Sequence, residues 1–160
     1  MQKEIFLILH NIRSVYNVGS IFRTADACGV SKIFLTGYTP TLLDKFGREA
    51  GGFAKTALGA EKNIPWEYFS QPAPLLQKLH EQNFQIIAIE QSKNSVDYKK
   101  INPLNDGQKI AFLLGNEVRG ISESLLKKCN IIAEIPMRGK KESLNVSVSA
   151  GIALFRILNI

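Results

Sequence analysis

Short runs of mostly apolar residues alternate along this chain with segments that have the spacing of amphipathic helices. The apolar runs are residues 5–9, 32–36, 84–89, 110–114 and 131–135. The helical segments are residues 18–28, 72–82, 122–128 and 146–159. A strand that is apolar at successive positions has to be covered on both faces, which is typical of parallel sheets. The alternation therefore predicts an α/β fold: a parallel sheet with helices on both faces.

The composition is that of an ordinary globular domain with a basic surface. The 160 residues are 45% hydrophobic, and we expect one domain over residues 1–160. The net charge of +6 favours an anionic partner such as nucleic acid. Cys28 and Cys129 lack metal-ligand spacing, which indicates a reducing, cytoplasmic compartment and no metal site. No apolar stretch is long enough to cross a membrane, so we expect no membrane partner.

Two segments have weaker patterns. Residues 37–65 are rich in glycine, and we predict only a short helix near residues 42–48. Residues 93–107 are polar and rich in turn-forming residues, which predicts a surface connection.

A first polar cluster lies between the first strand and its helix. Asn17 can cap the helix of residues 18–28 and turn its side chain into the same cleft as Arg23. Arg13 and Thr24 nearby suggest a surface that faces phosphate. A helix cap beside a solvated arginine is the simpler alternative, and this segment alone does not separate the two.

A second cluster follows the strand of residues 110–114. Gly115 would let the backbone approach a ligand closely. Glu117 would then stand at the carboxyl end of the sheet, where it could accept hydrogen bonds from ribose hydroxyls or an amine. The alternative is an ordinary turn that contains an acidic residue.

A third cluster joins the last strand to the last helix. Backbone groups around Ile135, Met137 and Leu144 could bind the hydrogen-bonding edge of an adenine, with apolar side chains on its faces. Ser143 and Asn145 offer neutral donors and acceptors beside it. The alternative is a capped helix after a basic loop.

Other ligand motifs are absent from the sequence. No G-x-G-x-x-G follows a strand, so a Rossmann dinucleotide site is not expected. Gly139-Lys140-Lys141 lacks the upstream glycine and the following serine or threonine of a P-loop. His10 and His80 have no partner at metal-ligand spacing, so we interpret both as structural or solvated.

Together, the three clusters resemble the signature motifs of the SpoU/TrmH family of RNA ribose 2′-O-methyltransferases, in the SPOUT superfamily. The matching positions are Asn17, Gly19 and Arg23 for the first motif, Gly115, Glu117 and Gly120 for the second, and residues 135–147 for the third. Their order and spacing agree, and the likeness covers nearly the whole chain.

The resemblance implies that the sheet carries a C-terminal deep trefoil knot and that the protein is a homodimer with its active site at or near the subunit interface. It also implies that the knot loops bind S-adenosylmethionine, with Gly115, Ile135, Met137 and Leu144 around it and a contribution from residues 90–92. The substrate would be tRNA or rRNA, and no metal would take part.

The resemblance also implies roles for the polar residues. In the family the arginine that matches Arg23 is described as activating the hydroxyl. Because an arginine stays protonated and is a poor base, our hypothesis is that Arg23 binds the adjacent phosphate or the developing alkoxide. Asn17, Glu117, Ser143 and Asn145 would orient the ribose and the cofactor.

Larger relatives carry extra segments for RNA recognition, and we expect no separate RNA-binding extension here. RNA contacts are then expected from basic and aromatic side chains: Arg13, Lys45, Arg48, Lys55, Arg138, Lys140 and Lys141, with Tyr38, Phe53 and Trp66 as stacking groups. Trp66 could equally belong to the core. Two other functions stay open. One is a SPOUT enzyme that methylates a base nitrogen, which Arg23 argues against. The other is a non-catalytic RNA-binding factor, which the intact motifs disfavour.

Overall fold

The computed structural model describes residues 4–102 and 107–160. Its strands are β1 Glu4–His10, β2 Lys32–Thr36, β3 Trp66–Phe69, β4 Gln85–Ile89, β5 Val96–Asp97, β6 Lys109–Leu114 and β7 Ile131–Glu134. Its α-helices are α1 Val15–Ala27, α2 Phe53–Ala57, α3 Ala60–Asn63, α4 Pro72–Glu81, α5 Glu123–Leu126 and α6 Val146–Leu158.

These strands form one sheet in which every neighbouring pair is parallel. Their order, over the described residues, is β3-β2-β1-β6-β4-β7-β5. The first strand is therefore central: β1 pairs with β2 on one side and with β6 on the other, where Ile5 lies opposite Ile110. The predicted α/β class with a parallel sheet is confirmed.

Two cores lie on opposite faces of the sheet, because successive strand residues point to opposite sides. Ile5, Leu7 and Leu9 of β1 pack with buried residues of α1, α2, α3 and α6. Phe6 and Ile8 of the same strand pack with buried leucines of α4 and α5. The central strands are apolar at successive positions because both of their faces are covered.

Helix α1 begins earlier than predicted because Ser14, and not Asn17, is its cap. The Ser14 hydroxyl accepts a hydrogen bond from the Asn17 amide at 3.2 Å. Serine is as good a helix cap as asparagine. The prediction that Asn17 caps this helix is wrong, and its side chain is free to act elsewhere.

The predicted helix at residues 42–48 is also wrong, since this segment is a loop. The Asp44 carboxylate accepts hydrogen bonds from the backbone amides of Phe46 and Arg48. Such side-chain bonds to the backbone compete with those of a helix. Gly47 has a φ of +76°, which a regular helix does not contain.

The edges of the sheet were not predicted. Strands β3 and β5 lie at opposite edges and contain half-buried and exposed residues, so they lack a continuous apolar run. Strand β5 and a 3-10 turn at Tyr98–Lys100 fall within the segment predicted as a surface connection. Residues 103–106 of that segment lie outside the described residues.

Gly19 lies where α1 packs against α2. A Cβ atom at this position would overlap the hydroxyl oxygen of Thr56 and lie 3.0 Å from the carbonyl oxygen of Phe53. Both of these residues belong to α2. The glycine of the first cluster therefore allows two helices to approach closely.

We expect Gly19→Ala to lower the free energy of unfolding by about 1 kcal/mol, because crowding in a packed interior outweighs the better helix propensity of alanine. Gly151→Ala is the matched control, since its Cβ would meet only the Thr24 methyl at 3.8 Å. The control should be neutral or stabilising by about 0.5 kcal/mol or more. Urea titrations at one protein concentration measure both, and equal effects of the two substitutions would contradict this account.

Candidate functional site

The three clusters meet at the carboxyl edge of the sheet. The segments that follow β4, β6 and β7, together with the start of α6, line a cleft of about 270 Å³. A larger pocket of about 750 Å³ lies at the amino ends of β4 and β7, where Gln85 and Ile131 line it. No residue of the three clusters lines this pocket. The chemistry of the motifs therefore belongs to the smaller cleft.

The Glu117 carboxylate connects the second cluster to the first. Its Oε2 accepts a hydrogen bond from the Arg13 amide at 3.1 Å, and its Oε1 accepts one from the Ser14 amide at 3.4 Å. Oε1 also accepts a bond from the side-chain amide of Asn17 at 3.0 Å. Glu117 thus fixes the start of α1 to the turn after β6.

Asn17 extends this contact to the third cluster. Its Oδ1 accepts a hydrogen bond from Nδ2 of Asn145 at 3.1 Å. The Oδ1 of Asn145 in turn accepts from the amides of Ser147 and Val148, so Asn145 caps α6. One chain of hydrogen bonds therefore runs from Glu117 through both asparagines to the last helix.

These contacts keep Glu117 ionised. Partial burial by itself raises the pKa of this carboxyl, but hydrogen bonds outweigh it; they come from the Arg13 amide, the Asn17 side chain, the backbone amide of Glu117 itself and the Ser14 amide. The net result is a pKa below the ordinary value of glutamate.

Asn116 holds the turn after β6, and the sequence did not single it out. Its side chain is 7% exposed and uses both of its polar atoms. Oδ1 accepts from the amides of Val118 and Arg119, and Nδ2 donates to the Asn11 carbonyl and the Tyr38 hydroxyl at 2.9 Å each. An asparagine after a strand indicates a turn. Its hydrogen bonds to Asn11 and Tyr38, which are distant in the sequence, cannot be recognised from the local sequence.

The turn after β6 also explains two glycines. A Cβ at Gly115 would overlap the Ile121 side chain and crowd the Gly120 backbone, so Gly115 is needed by its own turn. A Cβ at Gly120 would lie 2.5 Å from a carboxylate oxygen of Glu90. Gly120 also has a φ of +65°, which favours glycine.

The loop after β4 closes another side of the cleft. The Glu90 carboxylate accepts from the amides of Gln91 at 2.8 Å and Ile121 at 3.1 Å. The side-chain amide of Gln91 donates to the Glu142 carbonyl at 2.6 Å. Residues 90–92 were expected to contribute to cofactor binding, and of these Glu90 and Gln91 line the cleft.

The predicted cofactor residues all line this cleft. They are Gly115, Ile135, Met137 and Leu144, and Ser143 lies among them. Leu144 is 36% exposed and Ile135 is partly buried, so apolar surface is available at the cleft wall.

Arg23 lies apart from these residues. Its side chain is exposed, is not among those lining the cleft, and makes no hydrogen bond or ion pair within the ranges 4–102 and 107–160. Asn17 and Arg23 are both inside α1, where six positions turn side chains about 120° apart. The expectation that one cleft contains both side chains is not met within a single chain.

The candidate RNA-contacting residues divide into exposed and buried ones. Arg13, Arg138 and Lys140 are exposed. Phe53 is only 3% exposed, so its proposed stacking role is wrong, whereas Tyr38 is 57% exposed.

Among the described residues no group of histidine, cysteine or carboxylate side chains could hold a metal ion, and no helix is long and apolar enough to span a membrane. Burial raises the pKa of both Cys28 and Cys129 to about 11, so neither is an activated thiol.

We expect Glu117→Gln to be less stable than the original protein near neutral pH, with a difference that narrows on acidification. A lowered pKa in the folded state contributes stability above the ordinary glutamate pKa of 4.5, and this is lost as the pH falls through the folded value. Urea unfolding at about pH 7, 5 and 3 measures the difference. Glu81→Gln, on the exposed face of α4, is the control. A difference in stability between Glu117→Gln and the original protein that does not change with pH would contradict a lowered pKa of Glu117.

Comparisons with known proteins identify a family model, relatives in sequence and solved structures that are similar to this chain. A model of the SpoU rRNA methylase family matches residues 4–155. A TrmH family protein of Staphylococcus saprophyticus is 30% identical over 151 residues, which cover 94% of this chain and 57% of that protein. The AdoMet-bound rRNA methyltransferase from Sinorhizobium meliloti has a TM-score of 0.83 and 30% identity, over 98% of this chain and 56% of that one.

A third relative is the TrmH/SpoU tRNA modifying enzyme of A. aeolicus, with a TM-score of 0.82 and 28% identity over 99% of this chain and 75% of that one. The chain spans little more than half the length of the S. saprophyticus and S. meliloti proteins. The second and third motifs line one cleft, and Asn17 of the first is hydrogen-bonded to both. The family model covers nearly all of the sequence, so this chain belongs to the SpoU rRNA methylase family.

Proposed function

We propose that this protein transfers a methyl group from S-adenosylmethionine to a ribose 2′-hydroxyl of tRNA or rRNA in the cytoplasm. The observation that carries the proposal is the chain of hydrogen bonds that joins Glu117, Asn17 and Asn145 beside the cleft. These three residues come from the three motifs, and they are far apart in the sequence. Relatives that bind AdoMet and act on rRNA or tRNA support the same class of reaction.

The cleft has the chemistry that S-adenosylmethionine requires. Ile135, Met137 and Leu144 offer apolar surface for the faces of an adenine. The carboxylates of Glu90 and Glu117 supply negative charge for a cation that carries a sulfonium and an amino group. The turns at residues 115–120 and 142–145 would hold the cofactor between them.

When bound, S-adenosylmethionine supplies an electrophilic methyl group. The protein must align the ribose oxygen with that carbon and ease the loss of the hydroxyl proton. The Arg23 guanidinium stays protonated, so it would bind the adjacent phosphate or the developing alkoxide. The proton would pass to that phosphate or to water. Asn17, Ser143 and Asn145 would orient the ribose.

Because Arg23 faces outward, the proposal requires a second subunit. Helix α6 carries an apolar stripe of Val148, Ile152 and Phe155, of which Val148 is 48% and Phe155 43% exposed. Tyr16 on the adjacent α1 is 51% exposed. We propose that these faces form a homodimer in which Arg23 reaches the partner's cleft.

The family resemblance adds two features to the proposal. One is a deep trefoil knot formed by the C-terminal segments that build the cleft. The other is a single methyltransferase domain over residues 1–160 that binds RNA with its own surface, through Arg13, Arg138 and Lys140. No metal takes part in the proposed reaction.

We expect Arg23→Ala to reduce the turnover of methyl transfer by about 100-fold or more, because a charged group at a developing anion typically supplies that much. The affinity for S-adenosylmethionine, measured by calorimetry, should stay within a few-fold. Lys78→Ala, on the other side of the sheet, controls for loss of surface charge. Loss of cofactor binding in Arg23→Ala would contradict the assignment.

The product identifies the reaction. Mapping of 2′-O-methyl sites in total RNA, with and without this gene, should reveal a distinct missing site. A missing base methylation instead would favour an enzyme that methylates a base nitrogen, and no change would favour a non-catalytic RNA-binding protein.

Mixing two inactive variants tests the shared site. In a mixed dimer, the Arg23→Ala subunit has an intact cleft and the Leu144→Asp subunit has an intact Arg23. The two form one complete site only if the arginine acts across the interface. Random mixing should then restore about a quarter of the original activity, because half of the dimers are mixed and each has one complete site. An inactive mixture, with mixed dimers verified by two affinity tags, would place the arginine in its own subunit.

A further inference from the structure

Phe46 has more exposed side-chain surface than any other aromatic residue in the described parts of the chain. It is 68% exposed, compared with 57% for Tyr38 and 51% for Tyr16. An apolar ring that is exposed to solvent contributes little hydrophobic stabilisation to its own fold. It lies in the turn Asp44–Arg48 between β2 and α2.

The turn Asp44–Arg48 is an ordered structure. The Asp44 carboxylate accepts from the Phe46 amide at 2.8 Å and from the Arg48 amide at 3.0 Å. The Asp44 amide donates to the Arg48 carbonyl at 2.8 Å. On either side of the turn, Leu43 and Glu49 form an antiparallel bridge. Phe46 is therefore presented at the tip of a built turn, and binding through it would cost little ordering entropy.

Two cations flank the exposed ring. The Lys45 ammonium and the Arg48 guanidinium each lie 5.0 Å from its centroid. Arg48 is also held by the Asp44 carboxylate at 2.8 Å, whereas Lys45 has no acidic partner among the described residues. An aromatic face beside free positive charge suits a nucleobase with its phosphate, since the base stacks and the phosphate meets the cation.

The turn lies at the same edge of the sheet as the cleft. It follows the carboxyl end of β2, which pairs with the carboxyl end of β1 through Thr36 and His10. Further on, a Cβ at Gly52 would lie 2.9 Å from Val15, the first residue of α1. The neighbouring Ser14 amide is bonded to Glu117. The segment that follows the turn therefore reaches the start of α1, beside the candidate active site, at Gly52.

We propose that the turn Asp44–Arg48 is an RNA-binding element, in which Phe46 stacks on an unpaired base near the methylated nucleotide and Lys45 binds its phosphate. This inference rests on the proposed function, because it takes RNA as the substrate. A ring that can stack on any base would bind an unpaired RNA loop without selecting its sequence.

The test compares four proteins: the original chain, Phe46→Ala, Phe46→Trp and the control Leu58→Ala. Leu58 is an apolar residue outside the turn with a similar exposure of 63%. Binding is measured by fluorescence anisotropy with bulk tRNA, bulk rRNA and a short labelled single-stranded RNA. We expect Phe46→Ala to weaken RNA binding about tenfold. Phe46→Trp should retain it, and the control should not differ from the original chain.

The readouts separate this proposal from the proposed function. S-adenosylmethionine affinity and the circular dichroism spectrum should be the same in all four proteins. Unchanged RNA binding by Phe46→Ala, in a protein that still methylates RNA, would overturn the turn proposal alone. A change in sedimentation without a change in RNA affinity would also overturn it, because Phe46 would then contact a second protein copy. An original chain that neither binds nor methylates RNA would overturn both proposals.

Discussion

The arrangement of the site depends on one property of Glu117: an ionised carboxylate can only accept hydrogen bonds. Asn17 must therefore turn its amino group toward Glu117, which leaves its oxygen for the amino group of Asn145. Asn145 must then direct its own oxygen to the first amides of α6. The backbone amides of α6 can only donate, so they fix Asn145 from the other end, and the two ends of the chain of hydrogen bonds require the same orientation of both amides. A neutral residue at position 117 would remove one of these two constraints.

The sequence predicted the centre of the sheet well and its edges poorly. Central strands have apolar residues on both faces, so β1, β4 and β6 are visible as apolar runs. The edge strands β3 and β5 have one open side and a mixed composition, and their existence follows from pairing with neighbours that the local sequence does not reveal. In the same way, the loop at residues 42–48 depends on the bonds of Asp44. The hydrophobic periodicity of a sequence does not reveal hydrogen bonds of this kind.

The site residues were found for chemical reasons, but several of their roles changed. Glu117 was expected to bind a ligand, and three of its hydrogen bonds are made inside the protein. Gly19 and Gly115 prevent overlap between neighbouring parts of the fold. Asn116 went unnoticed because its partners are distant along the chain. Motifs identify which residues meet, whereas only coordinates tell whether each one holds the fold or faces the cleft.

The position of β1 has a consequence for the synthesis of this protein. This strand is synthesised before both of its partners, and the strands β3, β4 and β5 are made between β2 and β6. While the ribosome is still extending the polypeptide, β1 can pair with β2 but has an unpaired edge on its other side. Exposed, apolar strand edges promote aggregation. The nascent chain therefore passes through a stage in which its central strand needs protection, and that stage ends only when β6 emerges.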